Sequence, residues 1–417
     1  MSVSTGYHCR QARRAGGPVR ATEPQHMDAV YYDPYDHQLH DDPYPVYRRM
    51  RDTAPVYQHP EQGWFALTRH ADVFAAIFDW QRLSSAEGIT LEGLPADIQP
   101  EMISMDPPRH EELRHFVKRV FTPRRIELLA ERIEALSREL VASIDPSDID
   151  LARDLAVPLP ALVIAELLGI PDRDQLAFGG WADALLRRDQ GVPATMDRAR
   201  QASADLSAYL AEIIAERRRR PTDDLIGVLV RAADENEGMD DEELLGFCRL
   251  LLIAGNETTS HLIGNGLIAL ARHPDQRRLV TQDPTLLPAA VEETLRYDAP
   301  VQALVRTASV DLQVQGTSIA AGTKVVLVVG AANRDERAFV DPDRFYLHRS
   351  QSSGVGHVAF GHGIHHCLGA VLARSEAVHA LAAVLDRFPR YRLISDPVEV
   401  VHSASVRGPV SLQCTPE

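Results

Sequence analysis

The sequence predicts a mainly α-helical protein with a smaller β portion, and three observations support this fold class. Apolar residues recur at intervals of three and four over most of residues 109–270 and again over 368–387, as in helices that bury one face. Short β-branched runs bounded by glycines occur at 305–330 and 389–413 and predict strands. The chain has 417 residues, of which 45% are hydrophobic, so there is enough apolar material for a sizeable core.

The first 27 residues are rich in arginine and interrupted by glycine and proline. Arg13 and Arg14 form a twin-arginine pair, but no apolar segment follows them, so we do not expect an export signal. We predict a disordered tail over 1–27 and a single catalytic domain over 28–417.

The elements that follow the tail are short. A helix is predicted over Pro45–Asp52 and a strand within 63–70, where polar and apolar residues alternate. Residues 84–101 have little periodicity and predict a long loop, and such loops often contribute to binding.

Helices dominate the next part of the chain. Periodic segments at 124–144 and 206–220 each predict one helix, and 162–186 predicts two helices separated by Gly169 and Pro171.

The longest predicted helix begins near Asp240 and ends before Pro274. Asp240 and Glu243 have the spacing of a capping box, with aspartate in the serine position. About 32 residues at roughly 1.5 Å each would span about 48 Å. The middle of this helix is apolar on nearly all sides, which predicts burial, so polar residues within it require partners or a purpose.

Charge and cysteine content limit the class of protein. The formal charge is −15, which disfavours nucleic acid and anionic membranes as partners. No apolar run reaches about 18 residues, so no membrane span is expected. The four cysteines, at 9, 248, 367 and 414, are far apart and predict a reducing, cytoplasmic location.

The segment AFGHGIHHCLGA, residues 359–370, combines glycines, histidines and one cysteine before a predicted helix. Gly361 and Gly363 allow close backbone approach or positive φ. We expect Cys367 to lie at a helix N-terminus, where the dipole lowers the thiol pKa. Four roles stay open: a small buried residue, a zinc ligand with His362, His365 and His366, a nucleophile with His365 as base, or a haem ligand.

This segment resembles the haem loop of the cytochrome P450 family, whose pattern F-x-x-G-x-x-x-C-x-G is matched by Phe360, Gly363, Cys367 and Gly369. The resemblance is to soluble bacterial members and extends over about residues 33–413. It implies the cytochrome P450 fold, with haem b between the long central helix and the helix after the cysteine loop. Cys367 would be the axial ligand of the haem iron, with Phe360, Gly361 and Gly369 also at the cofactor.

The long helix contains AGNETT, residues 254–259. A carboxylate inside an apolar helix costs several kcal/mol unless it has a partner, although a polar kink satisfied by backbone or water would explain a lone threonine. The segment matches the family pattern A-G-x-[DE]-T. The resemblance makes Glu257 and Thr258 the acid–alcohol pair that relays protons to dioxygen, with Ala254 and Gly255 leaving room beside the cofactor.

EETLR places Glu293 and Arg296 on one helical face, where they could form only a weak surface pair. The resemblance instead assigns them to a structural E-x-x-R ion-pair network. It names Arg344, in DPDRF, as the third member.

His110 and Arg114 lie one helical turn apart, and a solvated helix face would account for both. The resemblance makes them partners of the haem propionates, together with Arg306 and His365. Arginine suits this role because its guanidinium binds a carboxylate through two parallel bonds.

The resemblance implies a monooxygenase that inserts one oxygen atom of O2 into a lipophilic small molecule by hydroxylation or epoxidation. Electrons from NAD(P)H would arrive through a ferredoxin reductase and a ferredoxin, which would dock on a basic patch for which Arg114 and Arg374 are candidates. The expected substrate is a steroid, terpene, fatty acid or macrolide. Its pocket would include Leu251, Gln302, Ala303 and Val406.

Three other functions stay open. A haem-binding sensor or carrier would not need the proton-relay pair. A peroxide-driven peroxygenase of the same fold usually lacks it. A thiol hydrolase would bind no haem.

Overall fold

The computed structural model describes residues 30–94, 99–120, 123–186, 193–236, 238–349 and 356–417. The tail predicted over 1–27 lies outside these ranges. The helices are α1 His37–Asp41, α2 Tyr44–Thr53, α3 His70–Phe78, α4 Arg109–Val120, α5 Pro123–Ser143, α6 Pro158–Leu168, α7 Asp172–Leu186, α8 Pro193–Arg219, α9 Leu225–Asn236, α10 Asp241–Arg272, α11 Pro274–Gln282, α12 Leu287–Tyr297, α13 Val329–Ala332 and α14 Ala370–Arg387.

The strands are short and come mainly from the two ends of the chain. They are β1 Val56–Gln58, β2 Phe65–Leu67, β3 Leu83–Ser84, β4 Ile149–Asp150, β5 Leu304–Ala308, β6 Leu312–Val314, β7 Thr317–Ile319, β8 Lys324–Leu327, β9 Tyr391–Leu393 and β10 Gln413–Pro416. The prediction of a mainly helical chain with a smaller β portion is confirmed.

The largest sheet has the strand order β1-β2-β8-β5-β3. β2 pairs with β8 in parallel, with Phe65 opposite Val325, and the other pairs are antiparallel. A second sheet has the order β4-β10-β9, and β6 and β7 form a hairpin. The hairpin turn uses Gln315 and Gly316, both at positive φ, as a two-residue type I′ turn requires.

Alternate residues of the large sheet enter two different apolar clusters. Phe65 and Leu67 face α3 and its neighbours, whereas Ala66 and Val326 face a cluster that contains Tyr32 and Trp64 from the N-terminal segment. This alternation follows from the two-residue period of a strand.

The third and largest cluster lies among the long helices and is centred on α10, which packs against α6, α8, α12 and α14. The capping box predicted for α10 is present. The Glu243 N–H donates to Asp240 Oδ1 over 2.8 Å, and the Asp240 N–H donates to Glu243 Oε2 over 3.0 Å. The 32 residues of α10 match the predicted length.

The break predicted between α6 and α7 is also confirmed. Gly169 has φ 75° and ends α6 in the left-handed conformation, which a residue with a side chain rarely adopts. Of the helices that the structure describes, none is long and apolar enough to cross a bilayer.

Candidate active site

The segment before α14 folds back on itself to present Cys367. Gly361 and Gly363 have φ of 63° and 67°, both left-handed, as the sequence allowed. The Cys367 N–H donates to the Phe360 carbonyl over 2.9 Å, and the Gly361 N–H donates to the Val358 carbonyl over 2.9 Å. A side chain at position 363 would also meet Phe78 at 3.3 Å, so the glycine lets the loop approach α3 closely. The resulting loop leaves Cys367 exposed.

The prediction that the fold lowers the pKa of the Cys367 thiol is wrong for the protein chain by itself. Although part of the residue is exposed, enough protein surrounds the sulfur that loss of hydration raises the pKa. A hydrogen bond from Gly369 and the charges of Arg114 and Arg374 act in the opposite direction and are outweighed. The helix begins at Ala370 with Gly369 as N-cap, two residues later than predicted, so the thiol lies before the first turn.

Four predicted cationic or imidazole side chains meet beside this loop. The rings of His110, on α4, and His365 have centroids 4.3 Å apart. Loss of hydration, with repulsion from Arg306, His110 and Arg114, lowers the pKa of His365 to about 3. Burial and the charge of Arg114 lower the pKa of His110 to about 4, so both rings are neutral at pH 7. Arg114 donates to the His366 carbonyl and thereby contacts the cysteine loop.

Several buried polar groups of this cluster have no protein partner. His110 Nδ1 and His365 Nε2 are buried without a hydrogen bond. Arg306 is 4% exposed and bonds the Val305 carbonyl, and no acidic side chain among the described residues forms an ion pair with it. Burial lowers the pKa of Arg306 to about 10, although the charge of Asp106 opposes this. Because an unsatisfied buried donor costs about 1–3 kcal/mol, this set is suited to a ligand that brings acceptor atoms.

The middle of α10 carries the predicted proton-relay residues. Ala254 is exposed although it lies within a helix that is otherwise largely buried, and Glu257 and Thr258 are half-buried. Thr258 Oγ1 donates to the Ala254 carbonyl over 2.8 Å. A Cβ at Gly255 would lie 3.1 Å from Ile164, so this glycine brings α10 close to α6.

The side chains beside the cysteine loop, together with Cys367, fit haem. Haem brings two carboxylates, which suit the Arg306 cation and the buried, unpartnered ring nitrogens of His110 and His365, and its iron binds a thiolate, for which Cys367 is exposed. By contrast, no group of three or more His, Cys, Asp or Glu side chains in the described ranges could hold a bare metal ion, as the zinc alternative requires.

The E-x-x-R network forms, but with a different third member. Arg296 pairs with Glu293 through two bonds of 2.9 and 2.8 Å, and both residues are buried. Arg349 Nε donates to both Glu293 oxygens over 3.1 Å. The predicted member, Arg344, contributes its backbone carbonyl to Arg296 and Arg349, while its guanidinium lies over the Tyr346 ring. The prediction of Arg344 is therefore corrected to Arg349.

Three of the four predicted pocket residues lie together, because the Gln302 and Ala303 N–H groups both donate to the carbonyl of Ser405, the neighbour of Val406. Gln302 and Val406 line a small pocket beside the N-terminal segment, and Gln302 Nε2 donates to the Ala299 carbonyl over 2.8 Å. Ala303 is packed in the apolar cluster that contains Tyr32. Leu251 lies on α10 against the largest cluster.

Two features near the site were missed in the sequence. Asp106 accepts from Ser84 Oγ over 2.5 Å and from the Ser85 N–H over 3.1 Å, and its charge acts on both Arg306 and His110. Glu292 and His357 form a second network with Arg374. The doubled glutamate in EETLR was the available signal for Glu292, because only one of the two belongs to E-x-x-R.

Comparison with known proteins identifies the family. Residues 190–396 match the family described as Cytochrome P450. The chain is 41% identical over 406 residues to putative cytochrome P450 123 of Mycobacterium bovis, which covers 95% of this chain and 99% of that protein. It is also 41% identical over 379 residues to the vitamin D(3) 25-hydroxylase of Pseudonocardia autotrophica, covering 88% of this chain and 92% of the relative.

A solved structure agrees with these relatives. The fold is similar to that of CYP109E1 from Bacillus megaterium in complex with testosterone, with a TM-score of 0.81 and 36% identity, covering 90% of this chain and 99% of that one. The chain belongs to the cytochrome P450 family. It is a cytochrome P450 monooxygenase, and the family implies haem as its cofactor.

Proposed function

We propose that this protein hydroxylates or epoxidises a lipophilic small molecule with haem b held through the Cys367 thiolate. The observation that carries the assignment is an exposed thiol beside a group of buried donors without protein partners. When bound in this way, haem supplies the activation of dioxygen that a monooxygenase requires.

The residues around the thiol have two roles: some would bind the haem carboxylates, and others shape the loop that carries the cysteine. Arg306, His110, Arg114 and His365 would bind the haem carboxylates, and the burial of Arg306 and His110 excludes water that would otherwise weaken these bonds. Most of the charge compensation for the two carboxylates falls to the arginines, which are cationic. Phe360, Gly361 and Gly369 shape the loop that presents Cys367.

Glu257 and Thr258, on α10, are the residues that would hold and pass on protons. The Thr258 hydroxyl donates a hydrogen bond to the Ala254 carbonyl in this structure, which leaves its oxygen free to accept from water or an acid. Release of the Ala254 carbonyl would let the same hydroxyl donate to another acceptor. Glu257, one residue earlier, is the carboxyl that would replace the proton. A proton relay supports a monooxygenase over a haem carrier or a peroxide-driven peroxygenase.

The proposed substrate is an apolar molecule of moderate size, such as a steroid, terpene, fatty acid or macrolide. Two relatives support the steroid-like choice, since one is named a vitamin D(3) hydroxylase and another was solved with testosterone. Spin-state shifts of the ferric protein on titration with these four classes of compound would identify the class that binds.

We assign the electron supply to NAD(P)H, through a ferredoxin reductase and a ferredoxin, and the location to the cytoplasm. Product formed with this chain of donors, and not with peroxide alone, is the expected result. Product formed with peroxide alone would favour the peroxygenase.

The ligand assignment is tested by Cys367→Ala. The carbonyl complex of the ferrous protein should lose the absorption at about 450 nm that thiolate ligation gives. His366→Ala is the matched control, because its side chain is exposed and only its backbone carbonyl contacts Arg114, and it should keep the band. A band that persists in Cys367→Ala would show that another residue is the ligand.

A further inference from the structure

A network of side chains ties the cysteine loop to α12 and α14. Arg374, on α14, contacts Glu292 on α12 through two bonds, Nε to Oε1 over 2.5 Å and Nη2 to Oε2 over 3.2 Å. His357 Nε2 lies 3.0 Å from Glu292 Oε2, and the Ala359 N–H donates to His357 Nδ1 over 3.3 Å. The carboxylate of Glu292 therefore joins two helices and the start of the loop.

The same arginine reaches the loop itself. The Arg374 guanidinium lies over the Phe360 ring at 4.4 Å from its centroid, in cation–π geometry. The Phe360 carbonyl in turn accepts the Cys367 N–H over 2.9 Å. Two contacts thus separate Arg374 from the backbone of the cysteine.

The charges of this network compensate each other. Burial alone would raise the pKa of Glu292, but hydrogen bonds from His357 and Arg374, together with the charge of Arg374, lower it to about 2. Glu292 is therefore ionised at every pH at which the protein would be handled. Arg374 is already paired with a carboxylate, which argues against its role as a free cation for a ferredoxin.

We propose that Arg374 and Glu292 are positioning residues for Cys367, which hold Phe360 and through it the backbone of the cysteine loop. The proposal rests on the assignment of Cys367 as the haem ligand. It gives Arg374 a role within the protein in place of the docking role that the sequence suggested.

The sign of the effect separates positioning from simple electrostatics. Arg374→Gln removes a positive charge near the sulfur and Glu292→Gln removes a negative one, so direct charge effects would move the haem midpoint potential in opposite directions. If the two residues instead act by holding Phe360 in place, either substitution loses the same contact and moves the midpoint potential in the same direction. Removing both residues should then add little to the larger single effect, because the two act through one contact.

The experiment uses the haem-loaded protein and four variants: Arg374→Gln, Glu292→Gln, the double variant and Arg390→Gln. Arg390 is an exposed arginine in the turn before β9 and controls for the change in net charge. Hydrogen exchange over residues 357–367, the midpoint potential and the ferrous carbonyl spectrum are measured on each. Exchange is the readout that does not depend on turnover or on the identity of the ligand.

We expect exchange over 357–367 to quicken about fivefold or more in both single variants, in line with the loss of one charged hydrogen-bonded contact. The potential should shift with one sign in both, the double variant should match the larger single shift, and Arg390→Gln should resemble the wild type. If Arg374→Gln does not accumulate as folded protein, Arg374→Lys replaces it with the same expectation, because lysine keeps the charge but lacks the two-point contact.

Unchanged exchange, shifts of opposite sign, or additive effects in the double variant would each overturn the proposal. Faster ferredoxin reduction in Glu292→Gln and slower reduction in Arg374→Gln, with exchange unchanged, would restore the docking role. A thiolate spectrum in Cys367→Ala would refute the ligand assignment alone, since the exchange result would still report on the link to the loop.

Discussion

Single residues determine the chemistry of this site through their burial. Thr258 is half-buried and its hydroxyl bonds its own helix, whereas His261, one turn later on α10, is buried with Nε2 unpartnered. Although Thr258 and His261 are neighbours on one helix, we expect Thr258 to affect proton delivery and His261 to affect the stability of the fold.

Thr258→Ala should leave haem binding unchanged and uncouple electron use from product. The methyl group cannot accept or pass on a proton, so product formed per NAD(P)H consumed should fall about tenfold or more, within the range of general acid–base effects. Thr258→Ser keeps the hydroxyl and should retain most of the coupling. Comparison of product with NAD(P)H consumption measures this, and normal coupling in the alanine variant would place the relay elsewhere.

His261 should make stability depend on pH. Burial lowers its pKa from 6.5 to about 4, with Asp298 opposing, so the folded chain holds it neutral. Above about pH 6.5, His261 is neutral in both the folded and the unfolded chain and does not lower the free energy of unfolding. As the pH falls towards about 4, the unfolded chain takes up a proton at His261, and the free energy of unfolding falls by up to about 3 kcal/mol. His261→Gln should lose less stability than the wild type between pH 7.5 and 5, measured by denaturant unfolding. Equal losses in both proteins would mean that His261 does not titrate on unfolding.

The residue scale is also where sequence reasoning was least reliable. The arginines at 344 and 349 both follow E-x-x-R in the chain, and only the path of the loop decides which guanidinium reaches Glu293. The sign of the Cys367 pKa shift likewise depends on how much protein surrounds the sulfur, which local sequence does not specify.

At the scale of elements, features that depend on residues close together in sequence were predicted correctly. The capping box and length of α10 were predicted because both depend on residues within one or two turns. The partners of the strands were not, since β2 pairs with β8 across about 260 positions of sequence and short strands carry no signal for such pairing.

The E-x-x-R network joins α12 to the segment after α13, and its energetic weight can be measured. Arg349→Gln removes bonds to both oxygens of a buried carboxylate and should lower the free energy of unfolding by about 2 kcal/mol. Arg344→Gln is the matched control, because its contribution is a backbone carbonyl that the substitution keeps. Denaturant unfolding would compare the two, and an equal or larger loss at 344 would contradict the corrected network.

At the scale of the whole molecule, the site joins three parts of the chain. Arg306 comes from the sheet, His110 from α4 and His365 from the cysteine loop. Each imidazole has a buried nitrogen without a protein partner, and Arg306 forms no ion pair with a described acidic side chain. Haem should therefore act as a structural ligand as well as a cofactor.

Haem loading should raise the thermal midpoint of the protein, because a ligand that binds only the folded state adds about 2.7 kcal/mol at one hundred times its dissociation constant. Arg306→Gln should weaken haem binding about tenfold or more and reduce this gain, since it removes a buried charged donor. Arg82→Gln, at an exposed arginine paired with Asp79, is the control. Haem titration and thermal unfolding give the two values, and equal affinity in Arg306→Gln would remove this residue from the cofactor site.

The strand order of the large sheet also bears on how the protein folds as it is made. β2 needs β8, and β3 needs β5, so the early strands keep unpaired edges until Leu327 has left the ribosome. The helices from α5 to α10 pack against helices that are close to them in sequence, so they can pack before the later strands are made. A nascent chain of this protein is therefore most prone to aggregate through β2 and β3, and these strands are where a chaperone would have most to protect.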